Sequence, residues 1–513
     1  MTDVLLFLLA ASVAHGLARW TRLPAIPLLI LTGIALRLTG WLPDEDFLSQ
    51  ALLLGVTVLV FHAGTELGGE RVGSQAKTAL WVGLVQFTVL AAVGTGAGHA
   101  LGFDPLPSAY LGLALAGSST LVVVRLIRQR AQAFEPFGRL VIGVLRLQDV
   151  LIIACAAVLT RVTDGLGAMA FGIVATVLLL GLTALLSREG MPRVLGWLDL
   201  DEESLLLWTL AVLFLFAGLA WILQLPPVFG AFLAGLTLAR FPVSGQVRAN
   251  LEPLGSYFLA FFMVALGATL RPPGPWEVWV AGIFALLVLV VTPILVSLIG
   301  ERAGLTARSS LEAGLLLAQT SELSLVVALI GHQSGHIGDS AVQIVALVTV
   351  VTMMLTPLLA TDGVTWRLLR LHPSRWARPP ATPPSGHLLL LGCGPSTFPL
   401  VTRLVATGLP VLVVDRDPIV LDRVQELGAQ ALHGDSADPS ILLQAGAQRA
   451  QVAISTMGRV RDNWALLQLR REGPVLVRVF ELEDAEWVRE HGALPVLTSE
   501  AAARACLRWM QGA

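Results

Sequence analysis

The sequence is poor in charged residues, in cysteine and in lysine. Only 14% of its 513 residues are charged, against roughly a quarter in soluble proteins, while 55% are hydrophobic. Its three cysteines, Cys155, Cys393 and Cys506, form no CxxC pair, which argues against a disulfide framework or a metal site. Lys77 is the only lysine, and the formal net charge of −2 gives no indication of nucleic-acid binding. The composition predicts a polytopic membrane protein.

Thirteen apolar segments predict an all-α membrane domain. They cover residues 4–20, 24–41, 47–67, 79–102, 106–127, 138–160, 165–187, 203–224, 226–240, 254–270, 276–299, 309–331 and 339–360. The first lacks the basic flank and cleavage site of a signal peptide, so we expect a retained span. Most arginines fall in one set of alternate loops, and the other set has only Arg37, Arg161 and Arg271. This asymmetry predicts a multi-pass protein of a bacterial inner membrane, with the N-terminus outside and the C-terminal region cytoplasmic.

The membrane region contains an internal repeat. Three pairs of segments match at an offset of 202 or 203 residues, namely 23–26 with 225–228, 64–67 with 267–270, and 118–120 with 320–322. Matching spans are seven apart, an odd number, so the two halves have opposite orientations. Inverted repeats with paired polar interruptions are typical of secondary transporters, whose sites lie where broken helices meet near the bilayer midplane.

One carboxylate lies near the middle of an apolar span. Asp149 is in the sixth segment, where an ionised acid costs about 3 kcal/mol on insertion scales. We therefore expect Asp149 to bind a proton, a cation, or each in turn. Gln148 beside it offers a ligand or a hydrogen bond. Arg146 lies one turn earlier on roughly the same face, so a structural ion pair with Asp149 is the alternative interpretation.

Two polar interruptions predict the broken helices. Ser118, Ser119 and Thr120 interrupt the fifth span, and Gln319, Thr320 and Ser321 interrupt the twelfth. Their polar side chains can bind freed backbone groups or a cation, and packing of small residues between helices is an equally good interpretation. Glu322 at the second interruption is expected to offset the positive ends of half-helices or an arginine.

The chain changes character after the last span. A proline-rich linker over residues 363–385 separates a membrane domain, 1–362, from a tail, 386–513. In the tail, the buried strand His387–Leu391 leads into a turn containing Gly392 and Gly394, and a second strand ends at Asp415. Alternating strands and helices predict a doubly wound, Rossmann-like α/β domain, and the glycine turn with a later acid indicates a dinucleotide or an adenosine ribose.

The glycine turn is incomplete. Thr397 stands in the third glycine position, and Pro395 removes a backbone N–H near the expected phosphates. Weak nucleotide binding and a purely structural, dimerising tail therefore both remain open.

Several of these motifs together resemble the monovalent cation:proton antiporter-2 family, and most of all its Kef-type potassium/proton branch. The matching pieces are Pro24–Gly33, Phe61–Leu67, Ser118–Thr120, Gln148–Asp149, Gly230–Gly235 and Gln319–Glu322. The resemblance implies a homodimer of thirteen-span subunits, in which a mobile domain moves against a dimerisation domain and Asp149 is loaded alternately with proton and cation. The Gln-Asp pair resembles potassium-transporting members.

Two departures from the family concern charge near Asp149. Arg146 stands where the family usually has an apolar or aromatic residue, and Val290–Pro293 occupies the region where many relatives carry a lysine. Arg146 is therefore either a substitute counter-ion for Asp149 or a side chain that extends toward the membrane surface.

The tail resembles the regulator-of-potassium-conductance module of Kef-type and Trk-type systems. This resemblance implies regulation by NAD(H) or an adenine nucleotide such as AMP or ATP. The candidate nucleotide-binding residues are Gly392, Gly394, Ser396, Thr397, Asp415, Arg416 and Asp435.

Together these features predict a transporter and no catalytic residues. The expected function is antiport of protons against K⁺, in preference to Na⁺. Asp149 maps onto Val351 in the other repeat, so a single shared acid predicts electroneutral exchange. The alternatives are a ligand-gated cation channel, for which no TVGYG-like filter is found, and a Na⁺/H⁺ antiporter with a structural tail. A membrane dehydrogenase would need an electron acceptor, but the spans lack paired haem-ligand histidines.

Overall fold

The computed structural model consists of two compact units, Met1–Leu305 with Ser309–Thr365, and Thr306–Arg308 with Trp366–Ala513. It describes residues 2–21, 23–40, 45–66, 76–129, 136–191, 193, 202–239, 244–303, 305, 307–369, 384–394, 397–416, 418–470, 473–500 and 503. Most of the predicted linker, residues 370–383, lies outside this set, as do Pro395 and Ser396.

The first unit is helical over most of its described length. Its long helices are α1 (Thr2–Thr21), α2 (Ala25–Leu38), α3 (Glu45–Glu66), α4 (Ala76–Ala100), α5 (Pro105–Ala116), α6 (Thr120–Gln129), α7 (Pro136–Leu159), α8 (Leu166–Leu185), α9 (Glu202–Ile222), α10 (Pro227–Leu238), α11 (Ser244–Thr269), α12 (Pro275–Arg302), α13 (Ala307–Leu317), α14 (Glu322–Gln333) and α15 (Asp339–Leu359), and α16 (Asp362–Leu369) follows.

The helices agree with the predicted apolar segments. Within the described residues, nine helical segments are long and apolar enough to cross a membrane, or ten if the bent pair of α13 and α14 counts as one span. Three shorter apolar helices, α2, α10 and Gly255–Thr269, occupy the remaining predicted segments. Within the described residues, each of the thirteen segments therefore consists mainly of helix, and three of these apolar helical stretches are shorter than the roughly 20 residues that a full span needs.

Helix packing divides the first unit into two bundles. Helices α4, α5, α7, α12, α14 and α15 pack against one another, and we call them the core bundle. Helices α1, α2, α3, α9, α10 and α11 form the second group, the scaffold bundle. Helix α8 lies between them in sequence and contacts α7 on one side and α10 on the other. Each bundle combines helices from both halves of the repeat.

Close glycine contacts in the scaffold bundle confirm the inverted repeat. A Cβ added to Gly33 of α2 would lie 2.2 Å from a carbonyl oxygen of α11 and 2.8 Å from the Cα of Gly267. A Cβ added to Gly235 of α10 would lie 2.0 Å from a carbonyl oxygen of α3 and 3.0 Å from the Cα of Gly64. The repeat offset relates the two contacts, so both halves pack their short helix in the same way, through glycines that let backbones touch.

The second unit is a doubly wound α/β domain, as predicted. Its elements are β1 (Leu388–Leu391), α17 (Phe398–Val405), β2 (Val411–Asp415), α18 (Pro418–Glu426), β3 (Gln430–His433), α19 (Pro439–Gln444), β4 (Val452–Ser455), α20 (Trp464–Leu469), β5 (Val475–Val479), α21 (Leu482–Glu490) and β6 (Leu494–Leu497). All strand pairs are parallel, in the order β3-β2-β1-β4-β5-β6. The order reverses beside β1, where ligands of this fold bind at the carboxyl ends of the strands.

Candidate functional site

Both predicted interruptions break their helices. Helix α5 ends at Ala116 and α6 begins at Thr120, so residues 117–119 are not helical. Helix α13 ends at Leu317 and α14 begins at Glu322, with a bend of 41° between them. A helix break frees backbone groups that lipid cannot satisfy, so protein groups must meet them.

Serine hydroxyls join the two breaks to each other. The Ser118 hydroxyl donates a hydrogen bond of 2.8 Å to the carbonyl oxygen of Leu317, the last residue of α13. In the reverse direction, the Ser324 hydroxyl donates to the carbonyl oxygen of Ala114, near the end of α5. Each half-helix therefore has a C-terminal carbonyl satisfied by the other broken span, and the two breaks cross at one point.

The hydroxyls of the second break also bind the backbone and neighbouring threonines. Ser321 caps α14 by accepting a hydrogen bond of 3.1 Å from the Leu323 N–H. The Thr320 hydroxyl donates to Thr349 at 3.0 Å, and the Thr320 N–H donates to the Thr352 hydroxyl at 3.2 Å. These contacts favour a structural role for Thr320 and Ser321, which hold the break in place.

Asp149 lies at the first break. Its carboxylate Oδ2 accepts a hydrogen bond of 2.9 Å from the Thr120 hydroxyl, and the residue is only 4% exposed. The neighbouring Gln148 is fully buried, and its Oε1 accepts a hydrogen bond of 3.1 Å from the Ser118 N–H. The structure thus brings Asp149 and Gln148 of α7 together with Ser118 and Thr120. No described residue hydrogen-bonds the Gln148 Nε2.

Glu322 links the second break to the first. It is the first residue of α14 and is 4% exposed, and its carboxylate lies close to the Ser119 side chain and the Leu121 backbone. No described residue hydrogen-bonds its Oε2. The carboxylate therefore lies at the start of its own half-helix and against the start of α6. Both helix N-termini carry partial positive charge, which a carboxylate stabilises.

A third acid lies near these two. Glu66 is the last residue of α3, and it is close enough to interact electrostatically with both Asp149 and Glu322. Its carboxylate is 3.9 Å from His62 Nε2. Glu66 belongs to the repeat segment 64–67 and is not among the predicted site residues. The available signal was an acid at the end of an apolar segment, four residues after a histidine.

Arg146, the predicted counter-ion, lies on α7 and is half-buried. Its role in compensating Asp149 stays a prediction.

Two cavities lie in the first unit at different ends of its helices. One, of about 500 Å³, lies between α1 and α2 of the scaffold bundle and α6, and it reaches Leu121 and Val122 in the first turn of α6. The other, of about 660 Å³, is lined by residues such as Thr160 and Gln224 at the far ends of α7 and α9. Asp149 lines neither of these two cavities and is 4% exposed.

In the second unit, the glycine turn and the acid of β2 come together. Gly392 has a φ of +76°, and the Cys393 N–H donates a hydrogen bond of 2.6 Å to Asp415 Oδ2. A Cβ added to Gly394 would meet no atom of the described residues within 4 Å. Burial, and to a smaller extent the Asp415 carboxylate, raises the pKa of the Cys393 thiol to about 11. The Thr397 hydroxyl is turned inward, 3.3 Å from the Thr456 hydroxyl.

Arg416 and Asp435 form an ion pair beside this turn. The Arg416 Nη2 is 3.0 Å from Asp435 Oδ1, and Asp435 is buried while half of the arginine side chain is exposed. Asp435 Oδ1 also accepts a hydrogen bond from the Ala437 N–H. Of the predicted nucleotide-binding residues, Gly392, Gly394 and Asp415 therefore share the carboxyl edge of the sheet, with the Arg416–Asp435 pair next to them.

An inverted repeat whose broken helices cross beside a buried carboxylate is the architecture of a secondary transporter. The chain belongs to the family described as sodium/hydrogen exchanger, transmembrane, whose model matches residues 5–361. Residues 388–499 match the TrkA-N domain. The combination confirms the predicted membership in the Kef-type branch of the monovalent cation:proton antiporter-2 family.

Relatives with transport functions cover different parts of the chain. It is 25% identical to K(+) efflux antiporter 3 of Arabidopsis thaliana, over 97% of this chain and 70% of that protein. It is 24% identical to the Na(+)/H(+)-K(+) antiporter GerN of Bacillus cereus, over 69% of this chain and 94% of GerN. The chain spans only about 40% of the length of K(+) efflux antiporters 1 and 2.

Among solved structures, the sodium proton antiporter MjNhaP1 of Methanocaldococcus jannaschii has the same fold in the membrane region. The TM-score is 0.55 at 15% identity, over 71% of this chain and 96% of that one.

Proposed function

We propose that this protein exchanges a monovalent cation, K⁺ in preference to Na⁺, for a proton by loading Asp149 alternately with each. The observation that carries the proposal is the buried Asp149 carboxylate at the crossing of two broken helices, where Thr120 is its hydrogen-bond partner. Relatives named K(+) efflux antiporter and Na(+)/H(+)-K(+) antiporter support the same chemistry.

The proposed cycle has the core bundle move against the scaffold bundle, so that Asp149 meets one cavity and then the other. On one side a proton binds the carboxylate and the cation leaves. On the other side the proton leaves and the cation binds. Glu322 stays with the half-helix ends throughout. Since the other repeat has Val351 in the position equivalent to Asp149, one cation moves per proton and the exchange is electroneutral.

The test of this proposal is antiport by purified protein in proteoliposomes that contain a pH-sensitive dye. Outward gradients of KCl, RbCl, NaCl and choline chloride are compared at equal ionic strength. The proposal predicts proton movement with K⁺ and Rb⁺, less with Na⁺, and none with choline. Equal or stronger responses to Na⁺ would make the protein a Na⁺/H⁺ antiporter, and no response to any cation would overturn antiport altogether.

We further propose that the second unit binds NAD(H) or an adenine nucleotide and thereby regulates transport. The Asp415 carboxylate is the candidate partner of the ribose hydroxyls, and the backbone at Gly394 is the candidate phosphate contact. Ligand binding stabilises the folded state in proportion to the logarithm of ligand concentration over Kd. Millimolar NADH, NAD, ATP or AMP is therefore expected to raise the melting temperature.

Asp415→Ala should remove that rise while basal antiport persists, and Asp422→Ala, an exposed acid on α18, is the matched control. If all four nucleotides leave the wild-type melting temperature unchanged, the second unit has a structural role instead.

We also propose that the protein works as a homodimer in a bacterial inner membrane, with the second unit in the cytoplasm. The asymmetry of basic residues between alternate loops supports this orientation.

A further inference from the structure

Four buried, uncharged polar side chains in the core bundle have unsatisfied atoms. Gln86, Gln148 and Thr292 are fully buried, and Gln319 is 1% exposed. Within the described part of the chain, no partner meets either amide atom of Gln86, the Gln148 Nε2, the Thr292 hydroxyl or the Gln319 Oε1. A buried polar atom without a partner costs about 1–3 kcal/mol, so native proteins keep few of them.

Three of the four side chains continue the helix faces of one apolar cluster. Ala79, Val82, Val123, Ile127, Leu140, Val141, Val144, Leu145, Val296, Ala313 and Leu315–Leu317 form a single apolar cluster. Gln86 follows Val82 by four positions, and Gln148 follows Val144 by four. Thr292 precedes Val296 by four, and Gln319 follows Leu315 by four. Gln86, Gln148 and Thr292 are thus each about one helical turn from a cluster member. Gln319 lies past the end of α13, in the helix break, where its Nε2 donates a hydrogen bond of 3.3 Å to the Leu316 carbonyl oxygen.

The three helical turns lead in the same direction. Successive spans alternate in direction across the membrane, so α4, α7 and α13 run one way and α12 runs the other. Stepping forward from Val82 or Val144 and backward from Val296 therefore moves toward the same side of the membrane. Residues three or four apart lie on the same face of a helix, so Gln86, Gln148 and Thr292 lie on the faces that carry the apolar cluster.

Glycine contacts set the position of α4, which carries Gln86, against α5 and α7. A Cβ on Gly98 would lie 3.3 Å from Ser108, and one on Gly94 would lie 2.9 Å from Gly112, which fixes an antiparallel register between α4 and α5. Within the helices, this register ends at Ala116, level with Leu90, which is about one turn from Gln86. A Cβ on Gly83, one turn before Gln86, would lie 3.0 Å from the side chain of Leu147, next to Gln148.

We propose that Gln86, Thr292 and Gln319 form an uncharged cation-binding pocket beside Asp149, and that Gln148 lies between this pocket and Asp149. The pocket rests on the proposed antiport, and it assigns part of the cation selectivity to uncharged oxygens. The unpartnered Gln86 Oε1, Gln319 Oε1 and Thr292 Oγ1 are oxygen ligands of the type that replaces an alkali cation's hydration shell. Neutral oxygens attract a cation less strongly than carboxylates do, and K⁺ gives up its hydration water at lower cost than Na⁺.

The test compares Thr292→Val, Gln86→Leu and Gln86→Asn with wild type. Thr292→Val keeps the shape of the side chain and removes its hydroxyl. If the hydroxyl has no ligand and is only unsatisfied, the variant should be as stable as wild type or more stable, with unchanged transport. The pocket instead predicts that the half-saturating K⁺ concentration rises about tenfold, by roughly 1.4 kcal/mol of binding, and that the K⁺-to-Na⁺ preference falls. Thr183→Val, which removes a buried and unpartnered hydroxyl from α8, is the control and should change neither value.

A second readout separates the pocket from the proposed transport. KCl, relative to choline chloride, should raise the wild-type melting temperature, and Thr292→Val and Gln86→Asn should reduce that rise. If the wild type shows this effect without exchanging any cation for protons, the pocket stands and the proposed antiport fails. The pocket would be overturned if all three variants kept the wild-type half-saturating K⁺ concentration, the wild-type K⁺-to-Na⁺ preference and the full rise of the melting temperature with KCl.

Discussion

The tightest contact in the scaffold bundle allows a quantitative test of the fold. Gly235 of α10 packs on α3, where an added Cβ would lie 2.0 Å from the carbonyl oxygen of Phe61 and 3.0 Å from the Cα of Gly64. The first distance is far inside van der Waals contact. The obstructing atoms belong to the α3 backbone, so no side-chain rotation can relieve the clash, and Gly235→Ala must push the helices apart.

Overpacking in protein interiors costs about 1–3 kcal/mol, and a clash with backbone belongs at the top of that range. We therefore expect Gly235→Ala to lower the free energy of unfolding by about 3 kcal/mol. At roughly 2 °C per kcal/mol for a large domain, the melting temperature should fall by about 6 °C. Gly33→Ala, the equivalent change in the other repeat with a contact of 2.2 Å, should behave in the same way.

The assay is thermal unfolding of the detergent-solubilised protein, followed by tryptophan fluorescence. Gly96→Ala and Gly282→Ala are matched controls on α4 and α12, because a Cβ at either position would meet nothing within 4 Å. Alanine is the better helix former by roughly 0.5–1 kcal/mol, so neither control should destabilise. A melting temperature for Gly235→Ala equal to that of the controls would refute the close approach of α10 and α3.

Three further predictions concern pH and charge. Burial lowers the pKa of His387, so the folded state favours the neutral imidazole. Thermal stability should therefore fall as the pH drops below about 6.5, the ordinary pKa of histidine, because the unfolded state then binds more protons. His387→Gln should weaken that pH dependence. The pKa of Cys393 is raised to about 11 from its ordinary value of 9.0, so thermal stability should also fall as the pH rises from 9 to 11. Cys393→Ala should lessen that fall. Differential scanning fluorimetry measures the melting temperature for the histidine and the cysteine predictions. Exchange of one cation per proton should give no steady current when the protein is reconstituted in a planar lipid bilayer under an applied potential, and a sustained potential-driven current would contradict electroneutrality.

The sequence predicted both helix breaks because small polar residues interrupt apolar segments at positions that the repeat relates. It also predicted the neighbours of Asp149, since Ser118 and Thr120 lie in one break and Gln148 is adjacent in sequence. The hydrogen bonds from Ser118 to Leu317 and from Ser324 to Ala114 were not predictable, because the crossing of two distant spans sets them.

Other features left no periodic signal. Glu66 ends an apolar helix, and only tertiary packing brings it near Asp149 and Glu322. Gln86 is a single amide inside an apolar run, which the sequence alone cannot distinguish from a packed polar group. In the second unit, the glycine turn after the first strand predicted a doubly wound domain with Asp415 at the end of the second strand. The inward orientation of the Thr397 hydroxyl was not predictable, because it depends on Thr456, 59 residues later.

The most direct test of the proposed mechanism is potassium-driven proton movement by Asp149→Asn in proteoliposomes. The amide has nearly the shape of the carboxylate but cannot bind and release a proton near neutral pH. We therefore predict a folded protein with no cation-dependent proton movement, while Asp104→Asn, an exposed acid at the start of α5, keeps wild-type exchange. Wild-type exchange by Asp149→Asn would contradict the assignment of Asp149 as the shared site for proton and cation.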